Sequence, residues 1–178
     1  MNITVIIEAI LEEYVLPWNG LHGIIHWGRV LENGLRLAEA SDADREVVTL
    51  FALFHDSRRI NEGHDPGHGN RGALLAEQFR GKHFDLSDQR FELLQYACAW
   101  HTDELNHEDI TVQCCWDADR LDLGRVGMTP NRRFLNTAAA KSDDILNWAH
   151  GRAAMEFIPE SVRSLCETFE ERAAINHR

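Results

Sequence analysis

The chain has 178 residues, 44% of them hydrophobic and 26% charged, with a formal net charge of −11. That length fits one domain with a sizeable core. The negative balance argues against a nucleic acid polymer or an anionic membrane as partner, because nothing offsets phosphate repulsion over the surface as a whole. A local basic cluster can still bind a small phosphate.

Residues 1–16 are apolar but interrupted by Glu8, Glu12 and Glu13, with no basic leader and no small-residue cleavage site, so they do not read as a signal peptide. Ile3, Ile6, Ile7, Ile10 and Leu11 recur at helical spacing, and Pro17 stops the segment. A second helix is expected over 22–40, with Ile25, Val30, Leu31, Leu35 and Ala38 apolar. Ser41, Asp42, Ala43 and Asp44 offer an N-terminal cap for a third helix ending near Asp56. Residues 57–67 hold Gly63, Asp65, Pro66 and Gly67 and must be a loop. Helix resumes over 68–79, breaks at Gly81 and restarts after Ser87 and Asp88 to run to about His101. Residues 102–109 are polar and loop-like, 111–123 helical, and two more helices are expected near 138–154 and 159–174, the last with Pro159 just inside its start. Strand signals are nearly missing, so one all-α domain is expected, a helical bundle over 1–178.

Cys98, Cys114, Cys115 and Cys166 make no C-x-x-C pair and lie in apolar helical stretches. They read as buried small hydrophobes in a reducing cytosol rather than as a disulfide framework. No apolar run is long enough to span a bilayer. A cytoplasmic protein is expected.

The chemistry concentrates where helices end. The run Val47–Phe54 leads straight into His55 and Asp56, and the second apolar helix end, Ala97–Trp100, leads into His101. His26 lies in the second helix, His68 opens the fourth, and Asp117, Asp119 and Asp122 form an acidic stripe among Cys114, Cys115, Trp116 and Leu121. Buried carboxylates need partners. Mixed imidazole and carboxylate donors suit a divalent transition metal such as manganese, iron, cobalt, nickel or zinc. His22, one turn before His26, is read either as a partner behind the ligands or as an exposed side chain. Arg29, Arg58 and Arg59 are candidates to hold phosphate. Glu62 is a candidate general base and His64 a candidate general acid. Trp18, Trp27 and Trp100 are read either as base-stacking rings or as core and lid residues.

The order His26, then His55–Asp56, then Asp119 within Asp-Ala-Asp-Arg-Leu-Asp resembles the HD superfamily of metal-dependent phosphohydrolases, over roughly residues 21–123. The resemblance implies a helical bundle of that type, with these four residues as metal ligands. His68 and His101 look like the two further ligands that some branches use for a second metal, so one or two ions are expected. It implies hydrolysis of a phosphate ester, a nucleotide being the expected substrate, by a metal-activated water with Asp56 at its centre. Two alternatives stand beside it: a di-iron oxygenase using all six ligands, and a non-catalytic domain binding a nucleotide or metal. An apolar face on the C-terminal helices over about 130–176 would be compatible with a homodimer.

Overall fold

The computed structural model describes the backbone of residues 1–176 and the side chains of residues 1–171. Its α-helices, in chain order, are α1 (Ile3–Leu11), α2 (Ile24–Glu39), α3 (Arg45–Phe54), α4 (His68–Phe79), α5 (Asp88–Trp100), α6 (Ile110–Arg120), α7 (Asp143–Ala154) and α8 (Glu160–Asn176). Short 3₁₀ turns at Leu123–Val126 and Arg132–Phe134 join α6 to α7. Among the described residues there is no strand, only a single bridge between Arg80 and Phe84. The all-α expectation therefore holds.

α3 is the axis of the bundle. Every residue from Val47 to Phe54 is buried, so the helix is apolar all round and must be enclosed. α2, α5 and α6 enclose it, and α4 packs on α5 and against the end of α3. Asp44 starts α3 by accepting from the amides of Glu46 and Val47. Asp109 does the same for α6, at Thr111 and Val112. Ser87 stands at the start of α5, but its side chain makes no capping bond.

α7 begins later than the expected 138. Ser142 supplies its cap through the Ile145 amide. The residues before it are held instead by Asp117, whose carboxylate accepts from the backbone and side chains of both Asn136 and Thr137 at 2.7–3.1 Å. Asp117, the first of the acidic stripe, is thereby spent on structure.

Two glycines set the approach of α4. A Cβ at Gly72 would lie 2.1 Å from the Phe54 carbonyl oxygen, and one at Gly69 would lie 2.2 Å from that of Cys98. No real side chain fits either place, so α4 lies directly against the last turns of α3 and α5. That contact brings His68 to the two helix ends carrying His55 and His101. No helix among the described residues is long and apolar enough to cross a membrane.

Candidate metal centre

His55 and His101 are placed by the same local device. Each is the residue that closes its helix, α3 and α5 respectively. The last carbonyls of a helix lack intrahelical donors. Nδ1 of His55 points at the carbonyls of Phe51 and Ala52 (3.1 and 3.2 Å), and Nδ1 of His101 at that of Cys98 (2.8 Å). A carbonyl can only accept, so the proton sits on Nδ1 and the Nε2 electron pair points away from the helix. His68, the first residue of α4, uses the Asp65 carbonyl in the same way at 2.7 Å. Asp65 is itself fixed by both oxygens to Arg71 and by the Ile60 amide, which staples the preceding loop.

His26 lies in the first turn of α2, where the unpaired backbone groups are amides and no carbonyl is spare. Its Nδ1 goes to Asp122 Oδ2 at 2.7 Å, and Arg29 grips the same carboxylate through Nε at 2.6 Å and Nη2 at 3.1 Å. Burial raises the Asp122 carboxyl, but these two partners outweigh it and hold it below the usual carboxylate range. It therefore acts as an acceptor, and the ring is turned so that His26 Nε2 faces His55.

Four Nε2 atoms thus converge with their electron pairs outward: His26 on His55 at 3.1 Å, and His68 on His101 at 3.0 Å. Without a shared proton, facing electron pairs at that distance repel unless a metal cation lies between them. Asp56 stands in the middle. Its Oδ2 is 3.5 Å from His26 and 3.6 Å from His55, while its Oδ1 is 3.1 Å from His68 and 3.9 Å from His101. Asp119 Oδ1 completes the first group, 3.5 Å from His26 and 3.8 Å from His55, and this buried oxygen has no hydrogen-bond partner. Burial raises the Asp56 and Asp119 carboxyls, but the surrounding imidazoles, with Arg125 beside Asp119, hold both well below the usual range. Burial, with His26 and His101 close by, outweighs the charges of Asp56 and Asp119 and pushes His55 down to about 3.

The donor set fits a divalent ion on every count: preset tautomers, an orphaned buried carboxylate oxygen, and mixed nitrogen and oxygen donors. Among the described residues three groups meet the spacing for such an ion; two are His26–His55–Asp119 and Asp56–His68–His101, with Asp56 Oδ2 adjoining the first of these. His22, His26 and Asp56 form a third such group. There, however, His22 Nδ1 is engaged by Asp56 Oδ2 at 2.7 Å, so His22 stands behind Asp56 as its hydrogen-bond partner.

Residues 23–124, more than half of the chain, match the HD domain family. The chain belongs to that family. No curated protein and no solved structure matches it.

The other expected site residues of this HD domain are divided. Arg59 and His64 line the cavity over the centre, whose volume is about 290 Å³. Arg58 does not. It turns to α1, where it donates to the Ile10 carbonyl and pairs with Glu13, because successive side chains on this tight turn diverge. Arg29 is also withdrawn from any phosphate, being committed to Asp122. Glu62 does not line the cavity. It stands behind His22, with Oε2 3.8 Å from Nε2, and that oxygen is buried without a hydrogen-bond partner. Trp27 is buried in the core against Tyr14, Trp18 packs on Phe169, and Trp100 lies on the outer face of α5, so none borders the cavity. Sequence reasoning missed Arg125. It follows α6, lines the cavity and lies 3.8 Å from Asp119 Oδ1. Its only sequence signal is a basic residue soon after the acidic stripe. The four cysteines are buried and free, and burial raises their thiols, so none is a nucleophile.

Proposed function

We propose that this HD domain hydrolyses a small phosphate ester with a divalent transition metal held by His26, His55, Asp56 and Asp119. The observation that carries the reading is the convergence of four imidazole Nε2 atoms on Asp56 at the floor of a polar cavity. A metal bound there lowers the pKa of a bound water toward about 7 and polarises a phosphoryl oxygen.

The chain's own residues supply the rest. Arg125 flanks the cavity at the Asp119 side and binds non-bridging phosphate oxygens, replacing Arg29 and Arg58 in that role. His22 gives its Nδ1 proton to Asp56 and keeps Nε2 as acceptor beside Glu62, so the proton lost by water has a place to go. Glu62 acts through His22 rather than on water directly. His64, exposed at the rim, protonates the departing oxygen. The lining carries no Phe, Tyr or Trp. A nucleotide therefore gains no stacking ring here, and a compact ester such as a sugar phosphate suits the cavity better.

A phosphate-release screen across sugar phosphates, simple monoesters and nucleotides tests this. Release is expected only with manganese or cobalt loaded, and chelator should stop it. Firm metal binding with no release from any ester would leave a non-catalytic binding domain. The second group, Asp56–His68–His101, keeps a second reading in view, a di-iron oxygenase. Two irons per chain and oxygen uptake would select it.

A further inference from the structure

The two oxygens of Asp56 face different surroundings. Oδ2 meets His22, His26 and His55. Oδ1 meets His68, His101 and the guanidinium of Arg59, whose Nη1 is 3.4 Å from Oδ1 and 3.2 Å from His68 Nε2. Arg59 is buried and clamped by the loop that follows it, through Nη2 to the Gly63 carbonyl at 2.5 Å and Nε to that of Asn61 at 3.4 Å. An arginine keeps its charge at every accessible pH. With Nδ1 of His68 tied to Asp65, Nε2 of the neutral ring has one electron pair, which can face an arginine N–H or a metal but not both. At the first group no arginine among the described residues comes within hydrogen-bond reach of a donor atom: Arg125 directs Nε and Nη1 to the carbonyls of Leu21 and Asp122, and its remaining Nη2 stands 3.8 Å from Asp119 Oδ1.

We propose that Arg59 is the resident cation of the second ligand group, competing with a metal ion for Asp56 Oδ1 and His68 Nε2. The chain then holds one metal firmly and a second only when Arg59 withdraws. This rests on the reading of the first group as a metal site. It gives the three residues Asp56, Arg59 and His68 a charge-balancing role that six ligand side chains alone do not suggest, and it favours mononuclear hydrolysis over di-iron chemistry.

Manganese binding, by equilibrium dialysis with elemental analysis, tests it on the full chain. The wild type should bind one ion tightly. Arg59→Gln, which keeps a donor but loses the charge, should tighten the second ion by at least about tenfold. Spin coupling between the two manganese ions should then appear in the EPR spectrum, and His101→Ala in that background should abolish both changes. Arg59→Lys, which keeps the charge, should behave as wild type. His68→Ala in the otherwise native chain provides a test that does not need the Arg59 variants to fold: it should leave the count at one. Two ions of equal affinity in the wild type would overturn the proposal while sparing the first site. So would Arg59→Gln with an unchanged second affinity. Failure of the wild type to bind any manganese would overturn both readings together.

Discussion

His26 in the first ligand group and His68 in the second present the same nitrogen, but they are held by different means. His68 is aimed by a carbonyl three residues away in its own loop. His26 is aimed by Asp122, nearly a hundred residues away, and Asp122 is in turn held by Arg29, one helical turn from His26. The first group has His26 and His55 sealed in the core, reaches the cavity through Asp119, and depends on the docking of α6 against α2. The second opens to the cavity, is shared with a guanidinium, and depends mostly on local turns. A centre built this way can have one half set by the fold and the other half adjustable.

Asp56 joins the halves, so its loss should not distinguish them. Asp56→Asn keeps the shape and removes the charge that both groups need. Turnover should fall by at least about a thousandfold, about 4 kcal/mol of transition-state stabilisation. Metal content measured on the same sample should fall with it. A variant that kept its metal and lost only turnover would show that Asp56 serves the water rather than the ion.

Asp122→Asn should separate the halves. The amide can no longer fix the His26 tautomer as a charged acceptor, and Arg29 loses its partner. Metal affinity of the first group should drop about 10–100-fold. The second group, tested in Arg59→Gln, should be unaffected. Isothermal titration with manganese measures both. Equal losses would mean that the two groups are coupled more tightly than their separate supports suggest.

In chelator-treated protein, pH should also divide the imidazoles. Burial pushes His55 down to about 3 and also lowers His101. Below their ordinary value of 6.5, the unfolded chain gains protons that these folded groups refuse, so stability falls as pH drops from about 6.5 toward 3. His68 behaves oppositely. Burial lowers it, but the hydrogen bond and charge of Asp56 prevail and the net shift is upward. Its contribution is fully present below 6.5 and is lost as pH rises through its folded value. The carboxylates Asp56, Asp119 and Asp122 are held below 3.8, so their contribution is present above that value and lost as pH falls further. The unfolding midpoint should fall by several degrees on the acid side, since 1 kcal/mol moves a chain of this size by about 2–4 °C. His68→Gln should remove the small decline above 6.5. Calorimetry across pH 4–9 checks both limbs.

What the sequence made legible follows the same division. His55 and His101 could be found because an imidazole closing an apolar helix is a local signal. The helices themselves came from apolar periodicity and from side-chain caps such as Asp44. The tie from Arg29 through Asp122 to His26 is not local, and no spacing rule couples residues 93 or more apart. This is why Arg29 read as a phosphate ligand. The start of α7 was misplaced for a similar reason: Asp117, an acidic residue of the stripe, captures Asn136 and Thr137 from a distance. Which of Arg58 and Arg59 enters the cavity depends on a turn that the residue types do not specify.

That adjacent pair yields the smallest effect and the sharpest control. Arg58 pairs with the exposed Glu13 and lies off the cavity, so Arg58→Ala should cost no more than about 1 kcal/mol of stability. Its KM and kcat for phosphate release should stay within about twofold of wild type, because surface substitutions away from the chemistry act weakly. Arg125→Ala, measured alongside, should raise KM about tenfold, the loss of about 1.4 kcal/mol of charge-assisted binding. The two variants remove the same charge from the same net total. A general electrostatic effect would move both alike, whereas a phosphate bound between Arg125 and the first ligand group moves only one.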